Sequence, residues 1–174
     1  MTSSSGKVLA RRLGDEVSFI AVGRVCASLC PALRQYAEDA LSCGATAIEI
    51  DLADCTHCDS TFLGTLLALR QALHVHGPSA LRLVHPSQPV RHIFSQMGAD
   101  RLFQIVDHSP ASLGDMTWEQ LRDDSARAQS LRFKQTVVDA HQALASAGGE
   151  LTERFAPLAE AMREELAAEQ TPRP

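Results

Sequence analysis

Two short apolar runs open the chain, over residues 8–11 and 17–22. Between them lies the dipeptide Gly14-Asp15, which is typical of a tight turn. Two apolar runs on either side of such a turn predict a β-hairpin at the start of the fold.

Helical and strand patterns then alternate along the next part of the chain. In order, we predict a helix over 32–43, a strand over 47–52, a polar loop over 53–59, a helix over 60–76, a strand over 81–84, a helix over 86–97 and a strand over 103–106. Helices that connect successive strands imply an α/β fold, in which a mixed sheet is covered by crossover helices mainly on one face.

The remainder of the chain has helical periodicity almost throughout. Thr117 and Gln120 form a capping-box pattern, which predicts that a long helix starts there. Gly148-Gly149 predicts a break, and a second helix follows, in which Pro157 is expected to produce a kink or to mark a late start. We therefore predict a C-terminal α-helical hairpin.

These patterns divide the chain into an α/β domain over residues 1–112 and a helical hairpin extension over residues 113–174. The apolar stripes of the hairpin need a surface to cover them. They can pack on the open face of the sheet, or they can pair with a second copy of the chain as a helical bundle. A homodimer through these helices is the alternative that we favour.

Composition narrows the class of protein. Hydrophobic residues make up 45% of the 174 residues and charged residues 21%, as in folded globular proteins. The net charge of −5, without a Lys/Arg cluster, argues against nucleic-acid binding. No stretch is suited to membrane insertion or to a signal peptide. Five cysteines favour free thiols, so we expect a cytoplasmic protein.

One segment carries a specific motif. Residues 50–67 read as a strand, a loop, the tripeptide Asp59-Ser60-Thr61 and a helix with Leu63-Gly64 near its start. This order resembles the signature of STAS domains, the anti-sigma-factor antagonist family. The flanking segments 90–94 and 97–103 also look like family positions, and the resemblance extends over about residues 7–110.

The resemblance implies a regulatory module that binds a protein partner, either an anti-sigma factor or a serine kinase-like protein. By position, Ser60 is the residue that the partner kinase phosphorylates, and Thr61 is the second choice. The implied partner-binding residues are those of the helix start, namely Asp59, Ser60, Thr61, Phe62 and Leu63. A phosphoryl group there adds about −1.5 to −2 charges, which a docking face built around a neutral hydroxyl would not tolerate.

Two positions depart from the family pattern. Phe62 stands where the family usually has glycine, and Cys26 stands where it often has aspartate. These departures favour an alternative function, in which the chain is a constitutive STAS-like subunit of a transporter or sensory complex and is not phosphorylated. In that case we expect Phe62 to be an exposed anchor for a different partner.

The cysteines offer a third alternative. Cys55, His57 and Cys58 lie close together in sequence, as they would in a thiol enzyme or a metal site. A zinc site normally needs four ligands and no second pair has matching spacing, so we predict neither a metal nor a cofactor. The sequence also lacks a nucleophile elbow, a phosphate-binding loop and a dinucleotide-binding motif. We therefore predict that the protein is not an enzyme.

Overall fold

The computed structural model describes residues 6–77, 80–107, 117–122 and 130–170 of the chain. Within these ranges seven strands occur: β1 (Lys7–Leu13), β2 (Glu16–Val25), β3 (Ala47–Asp51), β4 (Cys55–Cys58), β5 (Leu81–Val84), β6 (Gln104–Val106) and β7 (Glu119–Gln120). They form one mixed sheet in the order β6-β5-β3-β2-β1-β7, and β4 pairs with β2 outside that path.

Five α-helices lie in the same described ranges: α1 (Cys30–Ser42), α2 (Ser60–Ala72), α3 (Gln88–Gln96), α4 (Leu131–Ala145) and α5 (Gly149–Gln170). None of them is long and apolar enough to cross a membrane.

The predicted α/β fold is confirmed. Strands β1 and β2 form the expected antiparallel hairpin, whose turn places Gly14 at a φ of 62°. The pairs β2–β3, β3–β5 and β5–β6 are parallel and are connected by α1, α2 and α3. The largest fully buried side chains come from both layers and include Phe19, Ile48 and Ile50 of the sheet and Phe62 and Phe94 of the helices. The core therefore lies between the sheet and these helices.

The predicted loop over 53–59 was partly wrong, because it contains strand β4. This strand runs parallel to the end of β2, with Cys58 opposite Val25, and the register shifts between Gly23 and Arg24. Four residues are too few to show a clear period in sequence, so the strand is recognised only by its pairing.

The predicted helix start at Thr117 and Gln120 was also wrong. Glu119 and Gln120 form β7, which pairs antiparallel with the outer edge of β1. An exposed strand edge has free backbone donors and acceptors, and pairing with it outweighed the local capping pattern. Helix α4 instead begins at Leu131, after Ser130, whose Oγ accepts a hydrogen bond from the amide of Phe133 over 3.2 Å.

The two C-terminal helices form the predicted hairpin, hereafter called the hairpin (α4 and α5). α5 packs on α4, and α4 packs on α2 and, over a smaller area, on α1. The alternative in which the hairpin packs on the open face of the sheet does not agree with these contacts, and the homodimer stays a prediction. α5 begins at Gly149 and continues past Pro157, so the proline does not mark a late start.

An ion-pair cluster joins three neighbouring strands. Arg82 of β5 donates hydrogen bonds to Glu16 of β2 over 2.9 Å and to Glu49 of β3 over 3.3 Å. The Glu49 residue is 3% exposed, so its carboxylate depends on protein groups for compensation of its charge.

We expect Arg82→Met to lower the free energy of unfolding by about 3 kcal/mol, because it leaves the buried Glu49 carboxylate without this cation. Urea denaturation measures the change. The double variant Arg82→Met with Glu49→Met should recover part of the loss, since the Glu49 carboxylate is then no longer buried without Arg82. A single variant as stable as the wild type would contradict this role.

Candidate functional site

Asp59 joins the start of α2 to the turn that follows β2. Its Oδ1 accepts a hydrogen bond from the amide of Phe62 over 2.9 Å, and its Oδ2 accepts one from the amide of Ala27 over 2.8 Å. The first bond is an N-terminal helix cap, and both bonds are strengthened by the charge of the carboxylate. The position of the helix start is thereby fixed relative to the end of β2.

Ser60 is the first residue of α2, and it contacts the hairpin. Its Oγ lies 3.3 Å from Nε2 of His141 on α4. Nδ1 of His141 lies 2.8 Å from the carbonyl oxygen of Val137, which can only accept a hydrogen bond. In the neutral imidazole the proton is therefore on Nδ1, and Nε2 accepts the proton of the Ser60 hydroxyl.

The surroundings of this contact are tightly packed. His141 is 4% exposed, and its ring lies against the ring of Phe155 on α5, with 5.8 Å between centroids. Ser60 itself is half-buried. The predicted phosphorylation site is thus engaged by a residue from the opposite end of the chain.

The other predicted partner-binding residues lie inside the protein. Thr61 is 5% exposed, and Phe62 and Leu63 are completely buried. The expectation that Phe62 is an exposed anchor does not agree with this placement, because α2 lies between the sheet and α4 and has little free surface. Of the five predicted residues, Asp59 and Ser60 remain partly accessible.

Gly64 allows α4 to approach α2 very closely. A Cβ atom added at Gly64 would lie 2.1 Å from the carbonyl oxygen of Ala140, far inside van der Waals contact. Gly64 is one helical turn after Ser60 and therefore on the same face of α2, and Ala140 precedes His141.

Sequence reasoning missed His141 and Ala140. The available signals were a glycine inside an apolar helix and one histidine within the apolar stripe of α4.

The thiols near this site are protonated at neutral pH. Burial raises the pKa of the Cys58 thiol to about 12, and the negative charge of Asp59 adds to the effect. Burial also raises the pKa of Cys55 and of Cys30. In the described part of the chain, no group of three or more His, Cys, Asp or Glu residues is arranged to hold a metal ion.

Comparisons with known proteins agree on the fold. A family model described as "Mlab, STAS domain" matches residues 10–107. Among solved structures, the anti-sigma factor antagonist SpoIIAA in its unphosphorylated form is 19% identical, with a TM-score of 0.51 over 58% of this chain and 89% of that one. An anti-sigma factor antagonist from Mycobacterium paratuberculosis is 20% identical, with a TM-score of 0.50 over 60% and 87%.

A putative anti-sigma factor antagonist from Thermotoga maritima is 22% identical, with a TM-score of 0.51 over 57% of this chain and 85% of that one. No curated protein matches the sequence. Helices α4 and α5 lie outside the residues that the family model matches. The domain is therefore shared with these structures, whereas the hairpin is an addition to the family match.

We expect Asp59→Ala to lower the free energy of unfolding by about 2–3 kcal/mol, because it removes one helix cap and one further charge-assisted hydrogen bond. Chemical denaturation measures the change. Asp54→Ala is the matched control, since Asp54 is exposed in the neighbouring turn and its replacement should change stability by less than about 0.5 kcal/mol. Equal effects of the two substitutions would contradict the assignment.

We expect iodoacetamide at about pH 8 to modify the exposed Cys43 while Cys30 and Cys58 stay unmodified, because the reactive species is the thiolate and the raised pKa values suppress it. Peptide mass spectrometry measures the modification of each cysteine. In denaturant all of them should react. Rapid modification of Cys58 in the folded protein would instead support the thiol-enzyme alternative.

Proposed function

The chain belongs to the STAS domain family, and on this premise we propose that it is a regulatory, non-catalytic protein-binding module resembling an anti-sigma-factor antagonist, switched by phosphorylation of Ser60. The observation that supports the proposal is the position of Ser60, at the first turn of α2, directly after the Asp59 cap and partly accessible. We propose that the partner is an anti-sigma factor or a serine kinase-like protein in the cytoplasm.

The electrostatics of the helix start support such a switch. A phosphoryl group on Ser60 adds about −1.5 to −2 charges at neutral pH. Asp59 already carries a negative charge beside it, and both of its oxygens are used by backbone amides. The phosphoryl group therefore adds to the negative charge of Asp59, and a partner that desolvates this surface loses affinity.

Ser60 is favoured over Thr61 as the modified residue. Thr61 is 5% exposed and faces the interior, whereas Ser60 is half-buried. We propose that a partner contacts Asp59 and Ser60 directly. The buried side chains of Thr61, Phe62 and Leu63 then hold the helix start in position from the interior of the protein.

The constitutive-subunit alternative has one observation in its favour. The Ser60 hydroxyl is hydrogen-bonded to His141 within the chain, which reduces its availability to a kinase. In that alternative the Ser60–His141 contact is purely structural, and the partner is bound at all times.

The deciding experiment is phosphosite mapping of the protein from its native cells, combined with co-purification of partners by the wild type, Ser60→Ala and Ser60→Glu. We expect a condition-dependent phosphate on Ser60, partner retention by Ser60→Ala, and at least about tenfold weaker binding by Ser60→Glu, because a charge is placed in the interface.

Ser95→Glu on α3 is the matched control, since it adds the same charge at an exposed serine away from α2. It should bind the partner as the wild type does. An unmodified Ser60 peptide under all conditions, together with equal binding by all variants, would reject the switch and favour the constitutive subunit.

A further inference from the structure

The hairpin and the proposed phosphorylation site are in direct contact, and this contact has a mechanical consequence. Two of the contacts between α4 and α2 lie on one face of α2: Gly64 meets the backbone of Ala140, and Ser60 meets His141 one turn earlier. A third attachment lies on α1, where Arg34 forms an ion pair with Asp139. These contacts lie close to Ser60, within an interface to which Leu144, Leu151 and Phe155 of the hairpin contribute buried apolar side chains.

We infer that the hairpin is a displaceable part of the switch: His141 senses the state of Ser60, and a phosphoryl group on Ser60 separates α4 from α2. The inference rests on the proposed function for its biological use. The displacement itself needs no partner, because α2 and α4 belong to the same chain.

Steric reasoning gives the first argument. Only 3.3 Å separates Oγ of Ser60 from Nε2 of His141, a hydrogen-bond distance that leaves no room for a phosphorus atom and its oxygens. The imidazole cannot simply retreat, because it is 4% exposed and its ring packs against Phe155. The backbone contact at Gly64, one turn away, prevents α4 from shifting by small adjustments of side chains. A phosphoryl group in the Ser60 rotamer that contacts His141 therefore displaces the helix as a unit.

Charge gives the second argument. The carboxylate of Asp59 lies beside Ser60, and its bonds to the amides of Ala27 and Phe62 hold it there. A phosphoryl group placed between α2 and α4 is thus close to the Asp59 carboxylate in a part-buried site, and moving α4 away exposes the new charge to water.

Transfer of a phosphoryl group from a nucleoside triphosphate forms the bond to Oγ of Ser60 and releases a nucleoside diphosphate, and the hydroxyl proton is lost to solvent. Because Oγ of Ser60 lies only 3.3 Å from Nε2 of His141 in the closed state, no phosphoryl group fits between them, and the kinase reacts with molecules in which the hairpin has opened. The product then cannot close again. Phosphorylation therefore selects the open conformation of the hairpin, which is already populated before the modification.

Hydrogen–deuterium exchange of the full chain tests the inference without a kinase or a partner. We expect Ser60→Glu to accelerate amide exchange in α4 and α5 by about tenfold or more, because it places a larger charged group in the contact. Strands β2 and β3 should exchange as in the wild type. Ser60→Ala, which removes the hydroxyl but adds no bulk or charge, should change α4 and α5 much less.

Two reference variants show what an open hairpin looks like. Gly64→Ala forces a Cβ atom against the Ala140 carbonyl and should open the hairpin with Ser60 intact. Arg34→Met removes the ion pair to Asp139 and provides a second reference if Gly64→Ala does not fold. Unchanged exchange of α4 and α5 in Ser60→Glu, with faster exchange in either reference, would overturn the inference.

The outcomes separate the two proposals. A missing phosphate on Ser60 in native cells rejects the proposed switch but leaves the exchange result of Ser60→Glu intact. A phosphorylated Ser60 with an undisturbed hairpin keeps the switch and rejects the displacement.

Discussion

The backbone of α4 touches α2 at Gly64, and this approach determines most of what surrounds Ser60. Without a side chain at Gly64, the carbonyl of Ala140 occupies the space that a Cβ atom would need. The next residue, His141, is then placed beside Ser60, and α2 has a helix on the side that would otherwise face solvent. Phe62 and Leu63 are buried as well, since α2 lies between the sheet and α4.

Asp59 has a complementary role at the other side of the site. Its carboxylate satisfies an amide of the first turn of α2 and an amide of the turn after β2, so a helix start and a strand end share one charged group. Ser60 is thus held from the sheet through Asp59 and from the hairpin through His141. Both attachments use polar contacts in a part-buried setting, where a change of charge has a large effect.

The sequence predicted the elements with clear local periods: the first hairpin, α1 to α3, the parallel strands and the two C-terminal helices. It did not predict β4 or β7, because strands of four and two residues have no readable period and exist only through pairing with β2 and β1. The packing position of the hairpin could not be predicted from the sequence either. It depends on a backbone contact between Gly64 and Ala140, and the sequence shows each of them only as a small residue in a helix. Phe62 was placed at the surface because the sequence does not show which face of α2 meets the sheet.

Strand β7 has a consequence for how the hairpin behaves in a cell. It is hydrogen-bonded to β1, so the chain is attached to the sheet shortly before α4 begins. An α4 that leaves α2 therefore stays near it, and its return is a unimolecular step, governed by an effective concentration on the order of millimolar for a short tether. The balance between docked and undocked hairpin is then independent of how much protein the cell contains. The fraction of molecules with an undocked hairpin then depends on the phosphorylation of each molecule and not on the expression level. An interface between two separate copies would instead depend on the protein concentration.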